Sequence, residues 1–165
     1  MSLFRPKQIL DIFTDLDLSY YRERGFDTVL LDVDNTIAVP NTGSCDERAR
    51  KFIEDLKAAG FKVVIFSNNN KKRVQMFLGD LQADYWYYAL KPLPFSYLAV
   101  CRKMGTVPSK TLVLGDQLLT DILGANLSGC YGIYCRQLQE KDSKMTAFNR
   151  RIEKFIWRKV LHEEM

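Results

Sequence analysis

The feature that most limits how this chain can fold is an alternation. Short apolar, β-branched runs are separated by segments whose apolar residues recur at helical spacing. That order is the signature of a parallel sheet with crossover helices. The runs predict strands over Thr28–Val33, Lys62–Phe66, Tyr85–Ala89, Thr111–Gly115 and Tyr131–Cys135. Between the first two a helix is expected over Cys45–Ala59, with Ser44 as N-cap, Glu47 completing a capping box and Gly60 ending it. Further helices are expected at Lys71–Leu81, Phe95–Met104 and Leu118–Leu127, and at the two ends over Lys7–Asp15 and Thr146–His162. The fold class is therefore α/β, a Rossmann-like parallel sheet of about five strands flanked by helices. With no internal repeat and no low-complexity linker, the 165 residues read as one domain.

In an open α/β sheet, ligands bind beyond the carboxyl ends of the strands. Here those ends carry Asp32-Val33-Asp34-Asn35-Thr36, Ser67-Asn68-Asn69-Asn70, Lys91-Pro92, and Gly115-Asp116 through Asp121. Four consecutive strand ends each deliver a charged or hydroxyl group. Cleaving a phosphate monoester needs a nucleophile, a proton for the leaving oxygen, and compensation for the phosphoryl charge. Asp32 and Asp34 lie two apart; in a continuing strand they would face one side, whereas a turn would splay them toward opposite ends of one phosphate. A carboxylate nucleophile divides the reaction into two easier steps, and its neighbour can move the proton. Asp116 offers a third hard oxygen ligand of the kind Mg²⁺ takes, Lys91 a compact positive charge, and Ser67 a hydroxyl for a phosphoryl oxygen.

Blander readings exist for each feature. An Asp-x-Asp pair can be a turn or helix-cap device, and a glycosidase pair would make no use of the lysine and third aspartate. Asn68–Asn70 reads either as a polar turn or as a set of backbone amides for phosphate. Lys71-Lys72-Arg73 opens a helix, where basic charge opposes the dipole; a solvated face is the first reading and an anionic-substrate funnel the second. Tyr85–Tyr88 reads as an edge strand, with a lipid-contacting or dimer patch as the alternative.

Taken in order, Asp-x-Asp-Asn-Thr, Ser-Asn-Asn, Lys-Pro and Gly-Asp-x-x-x-x-Asp resemble the four motifs of haloacid-dehalogenase-superfamily phosphatases. More narrowly, the chain is similar to the YqeG family of type IIIA phosphatases, whose relatives include phosphatidylglycerophosphate phosphatases. That likeness also takes in Thr146, Asn149 and Arg150, and departs from the pattern at Ala125, where a second glycine is usual. The resemblance implies Asp32 as nucleophile forming an aspartyl-phosphate, Asp34 as general acid and base, and Ser67 and Lys91 as stabilisers of the phosphate. It implies Mg²⁺ held by Asp32, by the backbone carbonyl of Asp34 and by Asp116, with Asp121 either reaching the metal through water or holding Lys91. Thr36, Asn68 and Asn69 are the candidate substrate-binding residues.

Superfamily members commonly shield the site with a cap inserted after the nucleophile loop or between the serine and lysine motifs. Here only Ile37–Gly43 fills the first gap, and Ser67 to Lys91 leaves room for one helix and one strand. An uncapped site can reach a phosphate carried on something large, such as a lipid head group, a protein or a nucleic-acid end. Small soluble phosphates fit if an oligomer partner covers it. A module that binds phosphate ligands without turnover is the alternative from another class, and it is disfavoured because every chemical position is filled.

Composition narrows the setting. A net charge of +4 gives no reason to expect nucleic acid. No apolar run approaches the roughly 18–20 residues that cross a bilayer, and Met1–Pro6 lacks a signal peptide's apolar core. A cytoplasmic protein is expected, peripheral on the inner face of the membrane if it touches one. Cys45, Cys101, Cys130 and Cys135 form no Cys-x-x-Cys pair, and His162 is the sole imidazole, so reduced thiols rather than a zinc site are expected. The last helix pairs an apolar stripe (Phe148, Ile152, Phe155, Ile156, Val160) with six basic residues between Lys144 and Lys159 against one acid, Glu153. It reads as a helix packed on the sheet, or as one lying in an anionic interface.

Overall fold

In the computed structural model, which describes residues 2–40, 42–139 and 151–158, the apolar runs line up as one parallel sheet. Its strands are β1 (Gln8–Leu10), β2 (Thr28–Leu31), β3 (Lys62–Phe66), β4 (Asp84–Trp86), β5 (Thr111–Gly115) and β6 (Tyr131–Cys135), in the spatial order β1-β6-β5-β2-β3-β4. The central strand β2 is buried along its whole length because helices cover both faces, which is why its sequence is continuously apolar rather than alternating. Helices α2 (Glu47–Ala58) and α3 (Lys71–Leu78) pack Phe52, Ile53, Leu56, Val74 and Phe77 against Val29, Leu31 and Ile65. On the other face α4 (Pro94–Met104) and α5 (Leu123–Ser128) pack Tyr97, Val100 and Ala125 against Leu30, Val64 and Val113. A short α1 (Leu18–Glu23) precedes β2. All four cysteines are buried and free.

Six strands rather than five are present because the N-terminal segment is not the helix its spacing suggests. Gln8–Leu10 adds a strand beside β6, with the Lys7 amide donating to the Gly132 carbonyl and the Arg136 amide to that of Leu10. A 3₁₀ turn over Phe13–Asp15 follows. Leu10, Phe13 and Leu16 are all buried, so the three-residue period is real, but a strand and a tight turn produce it. The edge of β6 would otherwise expose unpaired backbone groups, and closing that edge outweighs local helix propensity.

Helix α2 begins two residues later than its spacing suggests. The Cys45 amide donates to the Phe77 carbonyl, which ties that residue to α3, and Asp46 rather than Ser44 caps the helix, accepting from the Ala49 amide at 2.7 Å. Strand β4 is shorter than the aromatic run Tyr85–Ala89: Tyr88 has a positive φ of 46°, which keeps the extended backbone from continuing at the sheet's edge.

The C-terminal helical segment is described over residues 151–158; the rest of Thr146–His162, with Asn149, Arg150 and His162, lies outside the described residues. Ile156 and Trp157 pack on Leu118, Ile122 and Tyr134, while Ile152 and Phe155 stay exposed. Glu153 is buried, and its Oε1 accepts from the Leu119 amide at 3.0 Å. Leu119 lies in a π-helical turn over Leu118–Ile122 that leads into α5 and has no side-chain cap of its own. Glu153 therefore satisfies an N-terminal donor of that helix from a distant part of the chain. Among the described residues no helix is long and apolar enough to cross a membrane. Replacing Glu153 with alanine should lower stability by about 1.5–3 kcal/mol, the usual worth of a hydrogen bond to a charged group, read by urea unfolding.

Candidate active site

In the strand order the chain winds outward from β2 in both directions, so a crevice opens between the carboxyl ends of β2 and β5. Asp32 follows β2 directly, its amide donating to the Leu114 carbonyl of β5. The chain then turns tightly on the Val33 carbonyl, which accepts from the amides of Thr36, Ile37 and Ala38. Asn35 permits the turn by adopting a φ of 67°, a left-handed conformation that asparagine tolerates. Its backbone and side-chain oxygens accept from the Leu138 and Gln139 amides, which ties the turn to the segment after β6.

That turn sends the two carboxylates apart. Asp32 faces Lys91, whose Nζ donates to Asp32 Oδ1 and to Asp121 Oδ1, each at 2.6 Å. The Lys91 side chain is only 3% exposed. Burial alone would push its ammonium down, but the carboxylates of Asp121 and Asp32 outweigh that and hold it above the ordinary lysine range. For Asp121 burial wins, and its carboxyl sits above its usual range despite the nearby lysine. Asp116 is buried beside them. Thr36 Oγ1 lies 3.2 Å from both Asp32 Oδ2 and Asp116 Oδ1, although one hydroxyl carries a single proton.

Oxygens of Asp32, Asp116 and Asp121 lie within 4.8 Å of one another. Among the described residues, three carboxylates there face one buried ammonium. Such a cluster suits a hard divalent cation that takes oxygen ligands. Gly115 makes the close approach possible: a Cβ there would lie 2.1 Å from Asp121 Cγ. Gly124 has a similar role, since its Cβ would lie 2.4 Å from the Tyr97 hydroxyl, which donates to the Thr120 carbonyl next to Asp121.

Asp34 faces the other way. Its Oδ1 is 2.6 Å from Arg73 Nη2, and its Oδ2 accepts from Asn69 Nδ2 at 2.6 Å. Ser67 is buried; its amide donates to Trp86, its carbonyl accepts from Ala89, and its Oγ accepts from the Asn69 amide. The Asn68 carboxamide is engaged at both ends by the main chain of Lys91, so it aligns the lysine loop. Asn70 caps α3 by accepting from the Arg73 amide.

Apart from Ser67 and Asn68, the candidate residues thus fall into two groups. Asp32, Thr36, Lys91, Asp116 and Asp121 share one polar cluster, and Asp34 and Asn69 sit beside it with Arg73. The Asp34 carboxylate is not part of the acidic cluster. Arg73 is a further participant, which the sequence left with two readings, a solvated face first and an anionic-substrate funnel second. The signal was present, because a basic residue in the first turn of a helix opposes the dipole and so calls for another partner. Gln137, whose Nε2 lies 3.5 Å from Asp116 Oδ2, carried no such signal.

Replacing Lys91 with methionine should destabilise the protein by about 3–5 kcal/mol at neutral pH, because buried carboxylates lose their counter-charge. The wild-type lysine contributes its stability below its unfolded pKa and loses it only as pH rises through the raised folded value. The deficit of the variant should shrink as pH falls and the carboxyls take up protons. Urea unfolding across pH checks both.

A family model described as haloacid dehalogenase-like hydrolase matches residues 10–129. The chain is 32% identical over 153 residues to a probable phosphatase, YqeG, of Bacillus subtilis, covering 93% of this chain and 89% of that one. It is 30% identical over 139 residues to a probable mitochondrial phosphatidylglycerophosphatase of Schizosaccharomyces pombe, covering 72% of this chain and 66% of the relative. Among solved structures, the cobalt-bound deoxy-D-mannose-octulosonate 8-phosphate phosphatase of Haemophilus influenzae superposes with a TM-score of 0.56 at 16% identity. That match covers 67% of this chain and 68% of the other, and it speaks to the fold alone.

Proposed function

The chain belongs to the haloacid dehalogenase-like hydrolases and is a phosphoric monoester hydrolase, and from that premise we propose that it uses Mg²⁺ to convert phosphatidylglycerophosphate to phosphatidylglycerol. In this reading Asp32 attacks phosphorus, the bond to the leaving alcohol breaks, and Asp34 gives that oxygen a proton. Asp34 then takes a proton from water, which attacks the aspartyl-phosphate, releases inorganic phosphate and restores Asp32. Lys91 and Thr36, each within hydrogen-bond reach of a different oxygen of Asp32, hold the nucleophile in one orientation. Asp32, Asp116 and Asp121 are the side chains that would hold or surround the metal, with the Asp34 carbonyl as a further ligand. When bound, Mg²⁺ would neutralise charge on the transferring phosphoryl group. Ser67 is assigned to a phosphoryl oxygen. Asn69 is assigned to the substrate side of Asp34, while Asn68 acts through the lysine loop.

The observation that carries the lipid reading is an open site with an apolar rim. Among the described residues only α3 and β4 lie between Ser67 and Lys91, so no domain is inserted there. The loop that brings Lys91 inward alternates: Ala89 and Lys91 are buried, while Tyr88 and Leu90 are 58% and 56% exposed. Leu93 and Phe95, next along the chain, are exposed as well, and Lys71 and Lys72 come just after Asn69 and Asn70, the Asn69 carbonyl accepting from the Tyr88 amide. Apolar side chains edged by basic ones suit the interface of an anionic membrane. A relative named as a phosphatidylglycerophosphatase supports the same substrate.

With Mg²⁺, purified protein should release phosphate from phosphatidylglycerophosphate in mixed micelles faster than from a panel of soluble phosphomonoesters; the reverse order would overturn the lipid assignment. Asp32→Asn should abolish both turnover and the acid-stable phosphoenzyme. Leu93→Ser with Phe95→Ser should raise KM for the micellar lipid severalfold while leaving hydrolysis of a soluble ester unaltered.

A further inference from the structure

Arg73 is placed oddly for a residue with only a structural task. It stands in the first turn of α3, where its charge opposes the helix dipole. Its side chain is nevertheless folded inward and only 13% exposed. Nη2 lies 2.6 Å from Asp34 Oδ1, and Nη1 donates to the Gly43 carbonyl at 3.3 Å. With Asn69 on Oδ2, each oxygen of Asp34 faces an N–H donor. Asp34 is turned toward Arg73 and Asn69, and turning it toward the leaving oxygen means breaking one of these contacts. Something has to draw the guanidinium off.

The arriving substrate can do this. Its transferring phosphoryl group belongs with Asp32 and Lys91, on the far side of the turn from Arg73. What lies next to Asp34 is the leaving alcohol. A guanidinium is a planar fork suited to a phosphate or carboxylate, and exchanging one carboxylate for another anion keeps its charge paired. We infer that Arg73 forms a subsite for a second anion carried on the leaving alcohol, and that its transfer from Asp34 to that anion frees Asp34 to turn toward the leaving oxygen. The substrates selected are phosphomonoesters whose alcohol also bears a phosphodiester, phosphate or carboxylate close to the scissile bond. This inference rests on the phosphatase mechanism proposed above, but not on the substrate being a lipid. Exposed Lys71 and Lys72 add to the attraction for such doubly anionic molecules.

Four substrates separate the two ideas. Phosphatidylglycerophosphate and phosphatidic acid are both lipids, but only the first has a phosphodiester on its leaving alcohol. Glycerophosphoglycerol phosphate and glycerol 3-phosphate form the same contrast without acyl chains. The wild type should favour the doubly anionic member of each pair it cleaves by at least tenfold in kcat/KM, with kcat contributing as well as KM. Arg73→Ala should bring that ratio close to one, and Arg73→Lys should restore part of it. A wild-type ratio near one overturns the inference without need of any variant. So does an Arg73→Ala enzyme, shown folded by circular dichroism, that loses the same factor on both members of a pair; Arg73 would then be a structural partner of Asp34. A preference for acyl chains with no preference for the second anion leaves the lipid reading standing alone. A preference for the second anion regardless of acyl chains leaves Arg73 standing alone. If wild type cleaves none of the four, the proposed substrate and the second-anion subsite both fall.

Discussion

The rest of the site depends on one buried ammonium. Lys91 comes from a loop beyond the sheet's edge strand and reaches carboxylates delivered by two central strand ends, Asp32 after β2 and Asp121 after β5. Without that charge, the mutual repulsion of Asp32, Asp116 and Asp121 at such short range would lack its ammonium partner. Several otherwise unrelated features serve this contact. Asn68 pins the lysine's main chain, Gly115 leaves room for Asp121, and the Asp121 carboxylate also accepts from the Gln117 amide. The helix that carries Asp121 receives an N-terminal acceptor, Glu153, from the C-terminal segment. The acidic cluster and the distant end of the chain are therefore parts of one electrostatic arrangement.

Two carboxylates two residues apart in sequence end in different surroundings, and the backbone turn at Asn35 is the reason. On one side, Asp32 meets a fixed ammonium at the edge of the core. On the other, Asp34 meets the exposed end of a helix and a side chain long enough to swing away. In the proposed chemistry the nucleophile must stay put while its neighbour must exchange a proton twice. A rigid partner suits the first task and a displaceable partner the second.

The sheet and the polar strand ends were legible because their signals are local: a period, a cap, a turn residue, a carboxylate after an apolar run. Where reading the chain failed, a distant partner had overridden the local preference. Leu10, Phe13 and Leu16 keep helical spacing, but the open edge of β6 takes the first of them into a strand. Ser44 and Glu47 form a plausible capping box, but the Cys45 amide is held by Phe77, and Asp46 caps instead. Glu153 looked like the one acid on a basic solvated face and is in fact buried against a helix end 34 positions away. The two readings of the C-terminal segment divide by face, with Ile156 and Trp157 inside and Ile152 and Phe155 outside. Arg73 was open to notice, since its charge is wrong for its place in the helix. Nothing in the sequence said that its partner would be Asp34.

Among the described residues no domain is inserted between the serine and lysine loops, which gives the Arg73–Asp34 pair added weight. An enzyme that closes a domain over its substrate can tie chemistry to correct binding, because the catalytic groups come together only on closure. Between the serine and lysine loops there is only α3 and β4, and no such domain to close. On the proposed scheme one side chain provides the coupling instead. Arg73 keeps Asp34 occupied until an anion on the correct alcohol competes for the guanidinium, so recognition of a remote group is converted into release of the proton carrier. A phosphomonoester whose alcohol carries no second anion leaves the pair closed. Selectivity of this kind needs no enclosure, which is what a phosphate presented from a large surface would require.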